Sequence, residues 1–205
     1  MTPTPAEMWE QRYGSDGYIY GTEPNTFLQE AVADVPKGDV LCLADGEGRN
    51  GVYLAGLGHR VTSVDITEAG MAKAAQLASD RGVDLTTIVA DLGEFDLGEN
   101  RWDLIVSIFA HTPPQIRARV HGSIAKALRP DGVLILEAYT PAQVGRGTGG
   151  PPVPVLTMDL ERLRPELVGM NIHHALETVR PVVEGSGHTG EGAVVQVIAT
   201  PDTKQ

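Results

Sequence analysis

The chain has 205 residues, 41% of them hydrophobic, which suffices for one well-buried domain and is short for two. Asp and Glu number 27 against 16 Lys and Arg, a formal net charge of -11, so a polyanion meets general repulsion and nucleic acid is not expected as a partner. The single cysteine, Cys42, sits inside the apolar run "VLCL", which excludes a disulfide framework and a multi-cysteine zinc site; no metal is expected.

No stretch reaches the ~18 apolar residues of a membrane span. The opening "MTPTPAEMWEQRYG" has neither the basic start nor the apolar centre of a secretory signal. The expectation is a soluble, cytoplasmic single domain over 1-205, monomeric or weakly homodimeric, with no membrane partner.

Ahead of the first strand, "WEQRYGSDGYIYGTEPN" gathers Trp9, Tyr13, Tyr18 and Tyr20. These aromatics either staple a terminal helix to the body or form a cover. Short apolar runs follow at 39-44, 60-65, 84-91, 102-109 and 132-139, separated by helical patterns. Two of these, "TEAGMAKAAQLASDRG" and "PPQIRARVHGSIAKALRPDG", carry apolar residues at three and four spacing and close on Gly82 and Gly132, as helices ending in glycine turns do. Strands that are apolar throughout imply a parallel sheet covered on both faces.

Residues 140-157 hold five Gly and Pro in 149-154 alone, so a mobile loop is expected there, at the end of the fifth strand, where an open α/β sheet binds its ligands. The tail breaks the alternation. "NIHHALETVRPVVEG" and "EGAVVQVIATP", joined by the turn "EGSGHTGEG", read as a hairpin. The fold class is therefore α/β: a Rossmann-like, mostly parallel sheet with helices on both faces and a C-terminal antiparallel β-hairpin.

Residues 46-51, "GEGRNG", spell G-x-G-x-x-G after the first strand, the loop that cradles a pyrophosphate in dinucleotide-binding proteins. Here Asp45 and Glu47 bring two carboxylates into the turn and Arg49 offsets one, which opposes a pyrophosphate but not the sulfonium and ammonium of S-adenosylmethionine. Asp65, ending the second strand, can take both ribose hydroxyls of either ligand. Asp91, ending the third in "VADL", can accept from an adenine amino group. No tyrosine has a lysine four residues on, so short-chain dehydrogenase chemistry is lost.

On these segments, together with "WDLIVSIFAH", "ALRPDGVLILEAY" and "MWEQRYGSDGYIYGTEPNTFL", nearly the whole chain resembles the class I S-adenosylmethionine-dependent methyltransferases, in the branch of the tellurite-resistance and thiopurine methyltransferases. The resemblance implies seven strands with the last antiparallel. It implies S-adenosylmethionine as cofactor, with Gly46 and Gly48 near its methionine part, Asp65 on the ribose, Asp91 on the adenine, and Ile66 and Leu92 flanking the ring. Ala44, Asp45, Glu47, Asn50 and Phe109 complete the implied cofactor set. The family commonly has an acid at the position of Cys42 and a glycine at that of Ala44. A segment such as 1-30 folds over the cofactor in this family, so Arg12 is expected on its carboxylate, with Tyr13 and Tyr20 beside it.

Three residues are candidates for the chemistry. His111, after the fourth strand, is a pocket wall or a general base. Of Glu137 and Tyr139, one is expected to face the pocket, and Tyr139 is nearer the strand end. His188, in the hairpin turn, is either solvated or reaches the acceptor. His173 and His174 are adjacent, hence on opposite faces, and make no metal pair. "EGSGHTG" is not the Gly-x-Ser-x-Gly of a hydrolase elbow. "FAHTPP" shares only its prolines with an "NPPY"-type amine motif, which favours a small sulfur, selenium or tellurium nucleophile as methyl acceptor. The rival readings are a S-adenosylmethionine-binding regulator or scaffold without catalysis, and a nucleotide-dependent oxidoreductase.

Overall fold

In the computed structural model, which describes residues 3-202, seven strands form one sheet: β1 (Asp39–Leu43), β2 (Arg60–Asp65), β3 (Thr86–Val89), β4 (Trp102–Ile108), β5 (Leu128–Tyr139), β6 (Met170–Glu184) and β7 (His188–Pro201). Their order is β3-β2-β1-β4-β5-β7-β6. The first five run parallel, β7 is antiparallel to β5, and β6 pairs antiparallel with β7 at the edge. This is the expected Rossmann-like sheet with its terminal hairpin.

The sequence dictates two-sided burial through the period of two along each strand. Leu41 and Leu43 of β1 and Ile105 of β4 pack with Val120 and Ile124 of α5 (Pro114–Ala127) and Leu163 of α6 (Leu160–Glu166). Val40, Cys42, Leu104 and Val106 face the other way, against α2 (Thr26–Ala31) and Leu54 of α3 (Arg49–Gly56). Cys42 is thus plain core. A further helix, α4 (Glu68–Arg81), packs Leu77 and Ala78 on Val52 of α3 and ends at Gly82 in the left-handed conformation (φ 65°), as its glycine signal predicts. At the other end of the chain, α1 (Pro5–Tyr13) begins with a capping box between Thr4 and Glu7.

Three boundaries differ from the sequence reading. Strand β3 covers only 86-89, so Asp91 lies two residues beyond it, and as a sheet edge the strand is half exposed, not apolar throughout. Helix α5 stops at Ala127 and β5 begins at Leu128, with Gly132 inside the strand. A Cβ there would stand 2.9 Å from the carbonyl oxygens of Trp102 and Arg129, where the β4–β5 register shifts, so this glycine marks a strand irregularity and not a helix end. The hairpin turn is also shorter than "EGSGHTGEG": Glu184 already pairs with His188, which places His188 on β7.

Helix α5 is held to α6 by a buried polar cluster. Glu166 accepts from Arg117 Nε (3.0 Å to each oxygen) and Nη2 (2.8 Å) and lies 2.8 Å from His121 Nδ1. Burial works to raise the Glu166 carboxyl, but the bonds from His121 and Arg117 outweigh it and hold it at about 2. An acid whose folded pKa lies below its unfolded value contributes stability that is present above the ordinary carboxylate range and lost as pH falls toward the folded pKa. Glu166→Gln is therefore expected to cost about 3 kcal/mol at pH 7 in urea denaturation. The loss of stability between about pH 4.5 and 2 should be shallower in the variant than in the parent. Equal stability of the two proteins at pH 7 would show that the cluster contributes nothing.

Candidate active site

A cavity of about 710 Å³ opens at the carboxyl ends of the parallel strands. Its floor is the glycine loop after β1 together with Asp65 and Ile66 after β2. One wall is formed by Asp91, Leu92 and Ile116, another by Phe109 and His111 after β4 and by Tyr139 of β5. Helix α1 and Tyr20 close one side; Gly149 to Pro152 and His188 close the other. A more open depression of about 970 Å³ lies at the amino ends of the parallel strands, where Asp39 pairs with Arg60 and Arg129.

The loop conformation follows from a few residues. Ala44 is left-handed (φ 48°), the conformation that the commoner glycine adopts without strain, so the alanine keeps the loop shape at a cost of about 1-2 kcal/mol. Gly48 caps α3 at φ 84°, and a Cβ on it would stand 2.4 Å from the Ala74 Cβ of α4. Only glycine lets the two helices approach this closely.

Each carboxylate around the loop already has donors. Asp45 Oδ2 accepts from Ser63 Oγ (2.6 Å) and Gly51 N (3.2 Å); burial pushes its carboxyl up to about 7 despite these bonds. Asp65 accepts from Gly46 N (3.0 Å), Thr67 N (3.0 Å) and Thr67 Oγ1 (2.7 Å), which fix it at the cavity floor, and burial raises its carboxyl too. Asp91 Oδ1 accepts from Gly93 N (2.7 Å) in a tight turn and stays exposed. Glu47 is turned toward the N-terminal segment, pairing with Lys73 Nζ (2.9 Å) and accepting from Ile19 N (2.8 Å) and Tyr20 N (3.4 Å). Asn50 likewise accepts from Asn25 N (3.0 Å). Glu47 and Asn50 thus anchor the cover as well as lining the cavity.

The aromatic segment does both things the sequence left open. Tyr18 points away, bonding the Lys73 carbonyl (3.2 Å) and packing near Val52 and Leu77. Tyr13 lies directly over Gly46, where a Cβ would stand 2.5 Å from its hydroxyl. Trp9 stacks on Tyr13 (5.3 Å), and Arg12 lies over Trp9 (5.0 Å) while donating to the Tyr20 hydroxyl (3.2 Å).

Across the cavity, Phe109, itself left-handed (φ 53°), stacks on Tyr139 (4.5 Å), and His188 is held between Tyr20 (4.6 Å) and Phe109 (4.7 Å). His111 does not suit the role of a base. Its Nδ1 donates to the Leu156 carbonyl (2.9 Å) and its Nε2 accepts from Tyr139 N (3.2 Å), while burial lowers its pKa to about 4. Both nitrogens are occupied, so the ring is a neutral wall. Burial raises the pKa of the Tyr139 hydroxyl, which keeps it a neutral phenol, and that hydroxyl has no hydrogen-bond partner among the described residues.

Of Glu137 and Tyr139, the tyrosine lines the cavity and the glutamate does not, as expected, but the reason is not alternation: two residues apart they share one face of β5, and Glu137 is set back among Asn25, Gln196 and Arg180. The loop over 140-157 is not wholly irregular. It contains single 3₁₀ turns at Pro141–Gln143 and Pro154–Leu156, and Gln143 Nε2 holds Thr148 (3.0 Å) and the Gly149 carbonyl (2.9 Å). Gly150 lies flat on Tyr139, where a Cβ would stand 2.8 Å from the ring.

His188 departs furthest from a solvated turn residue: it is 4% exposed, on the cavity wall. Its Nδ1 lies 2.8 Å from Glu184 Oε2, and its Nε2 has no partner among the described residues. Behind it is a charged network that the sequence reading missed. Glu184 also accepts from Arg49 (2.7 Å) and Asn25 (3.0 Å), and Glu137 accepts from Asn25 (2.7 Å), Gln196 (2.7 Å) and Arg180. The available signal was a glutamate inside the apolar run "VLILEAY" and another four residues before His188. Among the described residues no group of three or more His, Cys, Asp or Glu is placed to hold a metal, and no helix is long and apolar enough to cross a membrane.

Residues 40-132, from β1 into β5, match a family model described as a methyltransferase domain. No curated protein matches the chain. Among similar solved structures is one described for the conversion of a disulfide bond into a thioacetal group during echinomycin biosynthesis, with 20% identity and TM-score 0.78 over 98% of this chain and 93% of that one. TehB from Haemophilus influenzae has 19% identity and TM-score 0.71 over 94% and 65%. Magnesium protoporphyrin IX methyltransferase (ChlM) from Synechocystis PCC 6803, with bound SAH, has 19% identity and TM-score 0.65 over 95% and 93%. At these identities the likeness shows the fold.

The anchoring of the cover by Glu47 can be tested directly. Glu47→Ala removes an acceptor for two backbone amides and the partner of Lys73, so the peptide covering residues 14-21 should exchange hydrogen about tenfold faster or more, while β1 and β4 keep their protection. Unchanged exchange in that peptide would mean that the segment is held by its aromatic contacts alone.

Proposed function

We propose that this protein, a methyltransferase whose methyl donor is S-adenosylmethionine, acts on a small, largely uncharged molecule that presents a thiol or a related protonated chalcogen, with His188 as the base that removes the acceptor's proton. The observation that carries the reading is His188 itself. Its Nδ1 is tied to Glu184, its Nε2 lacks a partner among the described residues, and its ring stands in the cavity wall. That is a positioned and oriented imidazole with one lone pair left for substrate.

The residues fit the donor. The floor carries the carboxyl groups of Asp45, Asp65 and Glu47, the last paired with Lys73, while of the two arginines among the described lining residues, Arg49 is paired with Glu184 and Arg12 lies beside Tyr20. Such a floor suits a sulfonium zwitterion and opposes a pyrophosphate. Asp65 would take the ribose hydroxyls and Asp91 the adenine amino group. Ile66 and Leu92 would flank the ring, and Gly46, Gly48, Ala44 and Asn50 would line the methionine portion. Phe109 would stand beside the methyl group, with Arg12, Tyr13 and Tyr20 closing over the carboxylate end. When bound, S-adenosylmethionine supplies an electrophilic methyl on sulfur.

The chain's own work is to exclude water with its aromatic walls, align the acceptor between Phe109 and His188, and receive its proton at His188 Nε2 as the new bond to the methyl carbon forms. His111 and Tyr139 shape the wall. The same electrostatics separate the possible acceptors. An inorganic oxyanion such as tellurite needs a free cation, and among the described residues lining the cavity only Arg12, at its rim, is not held by a carboxylate. A neutral thiol needs a base, which His188 supplies. The similar structure described for a disulfide-to-thioacetal conversion agrees with sulfur chemistry on this fold.

In calorimetry, S-adenosylmethionine should bind and NAD should not, and Asp65→Ala should weaken S-adenosylmethionine by about 1.5-3 kcal/mol through loss of charge-assisted ribose contacts. Tighter binding of NAD, or an unchanged dissociation constant for a folded Asp65→Ala, contradicts the cofactor assignment. Labelled S-adenosylmethionine screened against thiols, sulfide, selenols, selenite, tellurite and small heterocycles should give turnover on a thiol. His188→Gln should then lower kcat by about 10²- to 10⁴-fold, with little change in S-adenosylhomocysteine affinity. Binding without turnover on any acceptor would favour a regulatory protein, and turnover on oxyanions alone would overturn the thiol reading.

A further inference from the structure

Glu184 is shared in a way that bears on the protonation of His188. Its Oε2 accepts from Arg49 Nη2 at 2.7 Å and lies 2.8 Å from His188 Nδ1, while its Oε1 accepts from Asn25 Nδ2 at 3.0 Å. All of these groups are buried: Asn25 0%, His188 4%, Arg49 6% and Glu184 8% exposed. A carboxylate hydrogen-bonded to a histidine alone would favour the imidazolium, forming an ion pair. Here that carboxylate already has a cation on the same oxygen.

The charges around His188 can be followed element by element. Arg49 comes from α3, Glu184 and Arg180 from β6, and Glu137 and Tyr139 from β5. Tyr20 belongs to the N-terminal segment and His111 to the β4 end. Arg49 balances Glu184 and Arg180 balances Glu137. The two tyrosines are phenols with raised pKa, and His111 is neutral. The set is balanced with His188 uncharged. A proton on His188 would leave one uncompensated positive charge in a buried site, which is costly.

We infer that Arg49 is a positioning residue for the reaction: by occupying the shared oxygen of Glu184 it keeps His188 neutral at physiological pH, with Nδ1 protonated and Nε2 free to take a proton. Asn25, whose amide group donates to both Glu184 and Glu137 (3.0 and 2.7 Å), fixes the carboxylate that Arg49 and His188 share. The inference rests on the reading of His188 as the base and adds what makes it one. During turnover the acceptor X–H bond breaks, X bonds the methyl carbon, and the carbon–sulfur bond returns its electron pair to sulfur. The proton goes to Nε2. One positive charge disappears from the sulfonium as one appears on His188, so the net charge of the closed site is unchanged through the step. His188 then releases its proton to water when the site opens.

The test is a ring-nitrogen NMR titration of His188 in the full chain with bound S-adenosylhomocysteine, alongside the pH dependence of kcat at saturating S-adenosylmethionine. In the parent protein His188 should be the neutral Nδ1-protonated tautomer at pH 7. In Arg49→Gln its midpoint should rise by about one unit or more, and the acid limb of kcat should move up with it; Arg49→Lys should restore most of the parent behaviour. A merely structural role for Arg49 would lower activity without moving either midpoint. An imidazolium at pH 7 in the parent, or an unmoved midpoint in a folded Arg49→Gln, overturns the inference. If Arg49→Gln does not fold, Glu184→Gln takes its place: with Arg49 retained and the carboxylate gone, the midpoint should fall, and a rise overturns the inference. Full turnover in His188→Gln together with the expected titration shift would remove His188 as the base while leaving Arg49's control of its charge intact.

Discussion

Two glutamates are buried where the hairpin meets the parallel sheet, and the geometry of the whole acceptor side depends on their being neutralised. Glu137 on β5 takes Arg180 from β6 and Gln196 from β7, Glu184 on β6 takes Arg49 from α3, and Asn25 joins the two carboxylates. Burial works to raise Glu184, yet the bond from His188 and the Arg49 cation outweigh it and hold it at about 2. Removing any one partner leaves a charge in a region from which water is excluded, so the elements that carry these residues have little freedom to move independently. The same charges set the orientation of His188. One set of side chains thus both ties the hairpin to the sheet and orients a ring in the cavity wall.

The glycine loop shows a parallel economy. Glu47 reaches away from the loop to two backbone amides and a lysine, and Asp45 and Asp65 are held by loop amides and hydroxyls. Carboxyl groups held by such bonds have fixed directions, so the polar floor is oriented before any ligand arrives. A cationic sulfur centre meets oriented dipoles and not mobile charges.

Much of this was legible in the sequence because it follows from local patterns. The two-residue period of "VLCL" and "DLIVSI" sets two-sided strands, Gly82 ends a helix, and Asp65 falls at a strand end by its spacing from the glycine loop. The misreadings arose where distant residues decide the outcome. Gly132 resembles a helix stop, but the carbonyl of Trp102, on another strand, is what requires it. His188 lies in a glycine-rich stretch that reads as solvent-exposed, and only the packing of Tyr20 and Phe109 against it encloses the ring. Glu137 and Glu184 in apolar strands were the visible sign of an internal charge network. Their partners Arg49 and Asn25 come from two other elements, and Arg180, on the same strand as Glu184, pairs instead with Glu137; none of these pairings follows a spacing rule.

The joining of the cover to the hairpin also bears on the order in which the protein can be made. Asn25 bonds a residue 159 positions later, Arg180 reaches Thr26, and Gly187 donates to the Ile19 carbonyl. The segment around residues 19-26 leaves the ribosome early and must wait for the last hairpin before its bonds can form. Such long-range closure is slow, and it comes after the parallel strands have assembled. A growing chain can therefore build the cofactor floor while its acceptor side is still open, and the methyl-transfer chamber is sealed only when the two distant stretches of chain meet.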